Sequence, residues 1–364
     1  MRRTVAVVGG GYGGAAVAKA LEDEADVVLI DPRDALVNAA GSLRALARPD
    51  WAGKMFFPFA TLLGRGTVIR ERAVSVGPTG VTVASGRQVT ADYVVLATGS
   101  SYSYPAKPVS DSAAEAIDDL RRTHKELRQA GRVLILGAGP VGLELAGEIK
   151  EVWPDKRVTI VDPAEELLRG FEPELVRDLR AQLDALGIEV RLGTTVTSLP
   201  GTEPGRAGAV TVTTGAGEEI GADIWFRAHG TRTNSDYLAD GRLTGLDAYG
   251  RVPVTERLNV RGYDHVYAVG DITDVAEKKM AGHALQHAEV VARNITAQLR
   301  GERPTATYRP LSHPVILLPL GTRGGVGQLP SPEGPFAAPT STVSEIKGMD
   351  LFTGRFTEQF GPTL

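Results

Sequence analysis

Two glycine-rich hexapeptides have the spacing of a phosphate-binding turn, G-x-G-x-x-G. In such a turn the first glycine allows a tight bend, the second admits a pyrophosphate against the backbone, and the third lets a helix pack on a strand. The phosphates then lie at the helix N-terminus, where free N–H groups and the helix dipole favour an anion. The residues predicted to bind a dinucleotide are Gly9, Gly11, Gly13 and Gly14 in the first turn and Gly137, Gly139, Val141 and Gly142 in the second.

An aspartate follows each turn at the distance expected of a ribose-binding acid. Asp31 and Asp162 each end an apolar run, and a carboxylate there accepts hydrogen bonds from ribose hydroxyls. Asp162 also repels a 2′-phosphate, and residues 163–166 contain no lysine or arginine. The second turn is therefore predicted to bind NADH in preference to NADPH. The alternative is that Asp162 is a solvated acid at a strand end.

The segments around both turns repeat one order of elements. A short strand precedes each turn (residues 4–8 and 132–136), a helix follows, and a second strand runs into the aspartate (residues 27–30 and 158–161). A β-rich stretch and a closing apolar strand come next in both halves. Two copies of one dinucleotide-binding unit are the simplest interpretation. We therefore predict an α/β fold with two Rossmann-like domains and a short C-terminal segment.

The composition excludes several classes of chemistry. The 364 residues include no cysteine, so a disulfide, a thiolate metal site and an iron–sulfur cluster are impossible, and no metal is expected. The net charge of −4 argues against a nucleic-acid-binding protein. No apolar run is long enough to span a membrane, and Arg2 stands where N-myristoylation requires glycine. We expect a cytoplasmic protein, with peripheral contact at the inner face of the membrane as an option.

Three further stretches resemble a known group of proteins. They are residues 31–45, residues 266–281, and residues 324–328 together with 347–352. With the two turns, they resemble the two-dinucleotide flavoproteins related to the pyridine nucleotide-disulfide oxidoreductases. The resemblance is greatest to the branch of apoptosis-inducing-factor-like proteins, ferroptosis suppressor proteins and type II NADH dehydrogenases.

The resemblance implies a glutathione-reductase-like fold with FAD on the first unit and NAD(P)H on the second. In this group of proteins the FAD-binding domain is discontinuous. The domains implied are an FAD-binding domain in residues 1–108 and 245–304, an NAD(H)-binding domain in 109–244, and a segment covering the flavin in 305–364.

The resemblance also assigns roles around FAD. Asp271, after Gly270, would bond the ribityl chain, and the helix that begins near Met280 would direct its N-terminus at the flavin. Arg44 would lie near the FAD phosphates, and Val74 would touch the adenine. The alternative for Asp271 is a simple helix cap. The other residues assigned to cofactor contact are Lys54, Thr98, Gly99, Gly230 and Ala281.

Four polar residues are candidates for the chemistry. Glu144 matches the position that the wider family places beside nicotinamide, where a lysine often pairs with it. Lys54 is the candidate for this partner; the alternative is that Lys54 is only a surface lysine. Lys347 matches a lysine in the segment that closes over the flavin, where it would stabilise the anionic reduced ring or donate a proton, or else be a solvated charge. His287 is a weaker candidate beside the acceptor pocket, with a packing or capping role as the alternative.

The resemblance implies hydride transfer from NADH to FAD and then reduction of a quinone-type acceptor. Without cysteine, no redox disulfide can carry the electrons between them. One alternative is a flavoprotein that reduces a ferredoxin-like partner, and another is a non-enzymatic protein whose binding is controlled by a nucleotide. The acceptor could also be a small natural-product quinone. Either a monomer or a homodimer is compatible with the sequence.

Three phenylalanines recur at a spacing of four near the end of the chain, at Phe352, Phe356 and Phe360. This spacing places them on one helical face, although Gly354 weakens the prediction of a helix. The face would form part of the core or a dimer contact. The alternative is an acceptor tunnel or a shallow membrane contact.

Overall fold

The first part of the chain forms a parallel sheet with two small antiparallel sheets beside it. The computed structural model describes residues 2–364. The elements are β1 (Thr4–Val8), α1 (Tyr12–Leu21), β2 (Asp26–Ile30), β3 (Ala35–Val37), α2 (Ser42–Ala47), β4 (Phe56–Pro58), α3 (Phe59–Leu62), β5 (Thr67–Ile69), β6 (Ala73–Gly77), β7 (Gly80–Val83), β8 (Gln88–Thr90), β9 (Tyr93–Leu96) and β10 (Ser100–Ser101). Strand β1 is buried and pairs in parallel with β2 and β9, as expected of a Val-rich run at the centre of a covered sheet.

The second part repeats this arrangement. Its elements are α4 (Ala113–Gln129), β11 (Arg132–Leu136), α5 (Pro140–Val152), β12 (Arg157–Val161), α6 (Pro173–Ala185), β13 (Ile188–Arg191), β14 (Val210–Thr213), β15 (Glu219–Ala222), β16 (Ile224–Arg227) and β17 (Arg232–Thr233). The parallel sheet has the order β13-β12-β11-β16. Strands β10 and β17 pair antiparallel and connect the two parts.

The chain then returns to the first sheet. Strand β18 (Val266–Ala268) pairs in parallel with β9, and helix α7 (Ala281–Leu299) packs against α1. The first sheet therefore has the order β18-β9-β1-β2-β5. This return places a short 3-10 turn, Gly270–Ile272, beside the first glycine-rich turn.

The C-terminal segment contacts both halves. Its elements are β19 (Ile316–Leu320), β20 (Gly324–Ser331), β21 (Gly334–Ala338), α8 (Thr340–Val343), a π-helical turn (Ser344–Gly348) and α9 (Thr353–Phe360). The three strands form an antiparallel sheet whose apolar face shares a core with α5 and α6. Helix α9 instead packs on the first half, against α1.

The phenylalanine stripe belongs to the core. Helix α9 forms despite Gly354, and Phe356 and Phe360 are only 2% and 1% exposed. The ring of Phe356 lies 5.1 Å from that of Tyr12 and contacts Phe57 edge-on at 6.4 Å between centroids. The alternative of a tunnel or membrane contact is therefore wrong for these two side chains, because neither reaches the surface.

The predicted α/β fold with two Rossmann-like sheets is confirmed. The domain boundaries near residues 108, 244 and 304 remain predictions. None of the helices within residues 2–364 combines the length and the apolar character needed to cross a bilayer.

Candidate functional site

The first glycine-rich turn leaves open space at the position where a phosphate would lie. A Cβ on Gly9 would approach the Ala97 carbonyl oxygen to 2.5 Å, and one on Gly14 would approach the Gly9 oxygen to 1.8 Å. A Cβ on Gly11 would meet no atom of residues 2–364 within 4 Å. The outer glycines thus serve the tight packing of strand and helix, while Gly11 offers its backbone to a ligand. Gly13 lies in the first turn of α1, close to Val269.

Asp31 lies beside this turn, but an arginine covers it. Its carboxylate accepts hydrogen bonds from the Gly10 amide at 2.6 Å and from the Arg33 amide, Nε and Nη2 at 2.9, 2.9 and 2.7 Å. Burial opposes the ionisation of Asp31, but the Arg33 charge and these hydrogen bonds outweigh it and lower the pKa. Four bonds fill the acceptor positions of a carboxylate. A ribose hydroxyl must therefore displace Arg33, a contact that the sequence analysis missed.

The second turn has the same construction with an uncovered acid. A Cβ on Gly137 would lie 2.6 Å from the Ala228 carbonyl oxygen, and one on Gly142 would lie 2.0 Å from the Gly137 oxygen. A Cβ on Gly139 would meet no atom of residues 2–364 within 4 Å. Asp162 accepts from the amides of Ala138 at 2.6 Å and Ala164 at 2.8 Å. Among residues 2–364 no lysine or arginine side chain bonds its carboxylate, so two acceptor positions remain for ribose hydroxyls. Val141 lies in the first turn of α5, half-buried.

Asp271 belongs to a chain of polar contacts that includes Lys107, a residue that was not among the predicted site residues. Its carboxylate accepts from the Ser100 hydroxyl at 2.6 Å, and the Lys107 ammonium lies 3.2 Å from that same hydroxyl. Burial lowers the pKa of Lys107, while the Asp271 charge acts in the opposite direction. The sequence carried no signal for Lys107, because the residue lies in an irregular stretch after β10.

His287 is a packed residue behind the Gly270–Ile272 turn. It is 1% exposed, its Nδ1 accepts the Gly270 amide at 3.1 Å, and its Nε2 lies 3.0 Å from Glu277. Its ring also packs edge-on against Tyr308. The prediction that His287 borders the acceptor pocket is therefore wrong, because the side chain has almost no accessible surface.

The other predicted cofactor contacts lie near the ends of the strands. Thr98 and Gly99 follow β9, where the Thr98 hydroxyl donates to the Asn234 carbonyl at 2.6 Å. Met280 precedes α7 and Ala281 begins it. Val74, in β6, is half exposed. Their contact with a cofactor stays a prediction.

A half-buried arginine at the end of β16 was also missed. Arg227 pairs in register with Leu136, the residue before the second glycine-rich turn. Its Nε is buried and has no hydrogen-bond partner in the described part of the chain. Its Nη2 lies 3.2 Å from the position that a Cβ on Gly230 would occupy. A cation with an unused donor at this place suits a nucleotide phosphate.

Glu144 and Lys347 form an ion pair between α5 and the C-terminal segment. Lys347 Nζ lies 2.7 Å from Glu144 Oε1 and donates to the Leu317 carbonyl at 2.9 Å. Both side chains are largely buried. Lys54 is exposed instead, with its ammonium 5.1 Å from the centre of the Trp51 ring. The prediction that Lys54 pairs with Glu144 is therefore wrong, and Lys347 holds that position.

Arg44 has no surface to offer a phosphate. Its guanidinium is fully buried, and Nε and Nη2 donate to Glu148 Oε1 at 3.0 and 2.7 Å. Nη1 donates to the Met349 carbonyl at 3.0 Å. A residue that contacts FAD must border the space that FAD fills, and Arg44 borders none. Its predicted place near the FAD phosphates is therefore corrected to a buried contact between α2, α5 and the C-terminal segment.

Comparison with known proteins agrees with this geometry. The family described as pyridine nucleotide-disulphide oxidoreductase matches residues 3–293. The chain belongs to this family. The family and its relatives identify it as an FAD-dependent NAD(P)H oxidoreductase, and the open space at Gly11 and Gly139 fits a nucleotide phosphate at each turn.

Two relatives match this family member over nearly its whole length. Ferroptosis suppressor protein 1 of Taeniopygia guttata is 31% identical, covering 99% of this chain and 96% of the relative. Apoptosis-inducing factor homolog B of Dictyostelium discoideum is 30% identical, covering 98% and 97%. Among solved structures, the sulfide:quinone oxidoreductase of Aquifex aeolicus superposes with a TM-score of 0.78 at 20% identity, covering 99% of this chain and 91% of that one.

Proposed function

We propose that this oxidoreductase oxidises NADH and reduces a quinone-type acceptor directly from FAD. The observation that carries the proposal is the Glu144–Lys347 pair, which places a charged pair from the nucleotide-binding helix and the C-terminal segment at one point. The chain has no cysteine, so electrons cannot leave through a disulfide. A relative named for ferroptosis suppression and a neighbour named for quinone reduction support the acceptor class.

Bound FAD would accept a hydride from the nicotinamide and supply two electrons to the acceptor. The protein holds and orients the two nucleotides. The backbones of Gly11 and Gly139 face the open space where the phosphates would lie. The Asp271–Ser100–Lys107 chain lies beside the first site. Arg227 would add a cation at the second.

Lys347 would hold the proton that the acceptor needs. A quinone takes up two protons with its two electrons. One hydrogen would come from the hydride that NADH supplies, and a positioned ammonium group would donate the other proton and provide a compensating charge. Glu144 fixes the ammonium group in place through the 2.7 Å contact. On the surface of the same segment, Ile346 and Met349 are exposed apolar residues that could contact the tail of a lipid-soluble quinone.

We propose NADH as the preferred donor. The two free acceptor positions of Asp162 suit a ribose with both hydroxyls, and its charge repels a 2′-phosphate. Pro163, Ala164, Glu165 and Glu166 follow it and bring no cation. Arg227 lies at the end of β16, on the far side of β11 from Asp162, so it would act on the shared pyrophosphate rather than on the group that distinguishes the two nucleotides.

The test is anaerobic rapid mixing of the yellow holoprotein with NADH, followed by mixing with short-chain and long-chain quinones. We expect NADH to bleach the flavin and quinone to restore its colour, with turnover equal to the slower step. Restoration by ferredoxin and not by quinone would favour the reductase of a protein partner. A flavin that NADH does not bleach would overturn the proposal and favour a non-enzymatic role.

A further inference from the structure

We infer that Arg44 is a positioning residue that fixes Lys347 beside Glu144 and so controls delivery of electrons and protons to the acceptor. The inference rests on the proposed function for its catalytic consequence. Its structural part, that Arg44 holds the segment carrying Lys347, stands independently.

Two parallel contacts join α5 to the π-helical turn. Glu144 and Glu148 lie one helical turn apart, on the same face of α5. Glu144 bonds Lys347 directly, and Glu148 bonds Arg44, whose Nη1 donates to the carbonyl of Met349. Lys347 and Met349 are two residues apart. The bond from Arg44 to Met349 therefore anchors the end of the π-helical turn that carries Lys347.

The shape of the guanidinium is necessary for this contact. Nε and Nη2 donate to Glu148, Nη1 to Met349 at 3.0 Å, and Nη2 also to the Gly321 carbonyl at 3.3 Å. The donors thus reach three different segments at once. A lysine ammonium at the end of a flexible stem cannot reproduce this planar set of directions.

A second arginine, the residue that follows α2, supports the same region. Arg48 bonds Glu151 at 2.8 Å, and Glu151 accepts the Thr322 amide at 3.0 Å. The Ser344 hydroxyl at the start of the π-helical turn donates to the Thr322 carbonyl at 2.7 Å. Both ends of the turn therefore rest on backbone that these arginine–glutamate pairs hold, and such rare π-helical turns are frequent at functional sites.

Loss of Arg44 should affect the acceptor step in a way that a general loss of stability would not. Arg44 has no accessible surface, so it can influence the acceptor step only through the three segments that it bonds, which are α5, Gly321 and residues 344–349. Its loss should add nothing once Lys347 is already absent. Independent structural damage would instead add to the loss of Lys347.

The test compares Arg44→Lys, Lys347→Met and the double variant Arg44→Lys/Lys347→Met as holoproteins. Arg293→Met, which removes an exposed arginine paired with Glu289 on α7, is the matched control. We expect Arg44→Lys to slow flavin reoxidation by a short-chain quinone about tenfold while reduction by NADH stays within about twofold. We expect the double variant to match Lys347→Met. Additive losses would overturn the inference.

Hydrogen–deuterium exchange of the same holoproteins supplies a readout that needs no acceptor. Exchange in residues 344–352 should rise in Arg44→Lys and stay unchanged in Arg293→Met. Unchanged exchange there would overturn the inference even if quinone turnover is confirmed. If the wild-type flavin does not respond to quinone, the proposed function fails, while raised exchange would still show that Arg44 holds the segment. The variant Arg44→Met/Glu148→Met, which leaves no unpaired buried charge, repeats the measurement if Arg44→Lys does not fold.

Discussion

Glu144 and Lys347 lie 203 positions apart in the chain, and their side chains meet at 2.7 Å. Glu144 belongs to the helix that follows the second glycine-rich turn, and Lys347 to a π-helical turn of the C-terminal segment. A largely buried ion pair is costly to form unless it is well bonded, and Lys347 has the Leu317 carbonyl as a second acceptor. This pair links helix α5 of the second nucleotide-binding unit to the C-terminal segment.

Replacing Lys347 with methionine should impair the acceptor step. We expect flavin reoxidation by quinone to fall about 100-fold, the range lost with a positioned proton donor, while FAD stays bound. Rapid-mixing absorbance of the flavin measures both half-reactions. Lys125→Met is the matched control, since Lys125 is an exposed lysine of α4. Equal effects of the two substitutions would remove Lys347 from the mechanism.

Replacing Asp162 with asparagine should weaken the preference for NADH. The substitution removes the charge that repels a 2′-phosphate and weakens the hydrogen bonds to the ribose. We expect the ratio of kcat/KM for NADH over NADPH to fall about tenfold. Steady-state kinetics with both nucleotides measure it. A wild-type preference for NADPH, or an unchanged ratio in the variant, contradicts the role of Asp162.

Two alanine substitutions in the first glycine-rich turn should have different effects. In Gly14→Ala the new methyl group meets the Gly9 oxygen at 1.8 Å, so the protein should fold poorly. In Gly11→Ala it points into open space and the backbone is compatible with alanine, so the protein should fold but hold FAD weakly. Thermal unfolding and the ratio of flavin to protein absorbance distinguish them. Full FAD content in Gly11→Ala would argue against a phosphate at that turn.

Replacing Phe356 with alanine should destabilise the protein rather than change its contact with lipid. The side chain is buried against Tyr12 and Phe57, and truncation of such a phenylalanine costs about 3–5 kcal/mol. Chemical denaturation measures the free energy of unfolding. Phe336→Ala is the control, because Phe336 is 44% exposed on β21. A loss of liposome binding in Phe356→Ala without a loss of stability would contradict the core assignment.

Local patterns were sufficient to predict the two nucleotide-binding units. Strands were predicted at residues 4–8 and 132–136, and the structure has them at Thr4–Val8 and Arg132–Leu136. The glycine spacing, the flanking apolar runs and the aspartates all act within about 30 residues, the size of a βαβ unit. The chemistry of a turn follows from its own backbone, so the sequence alone determined these features and, through them, the family.

The partners of the charged side chains were decided only by the tertiary structure. Lys54, Arg44 and His287 were assigned by position in the chain, and each has a different neighbour from the one expected. Which carboxylate Arg44 and Lys347 meet depends on how α2 and the C-terminal segment pack against α5, between residues 104 and 203 positions apart in the chain. Periodicity and spacing describe only the chain near each residue, and so they cannot specify such pairs.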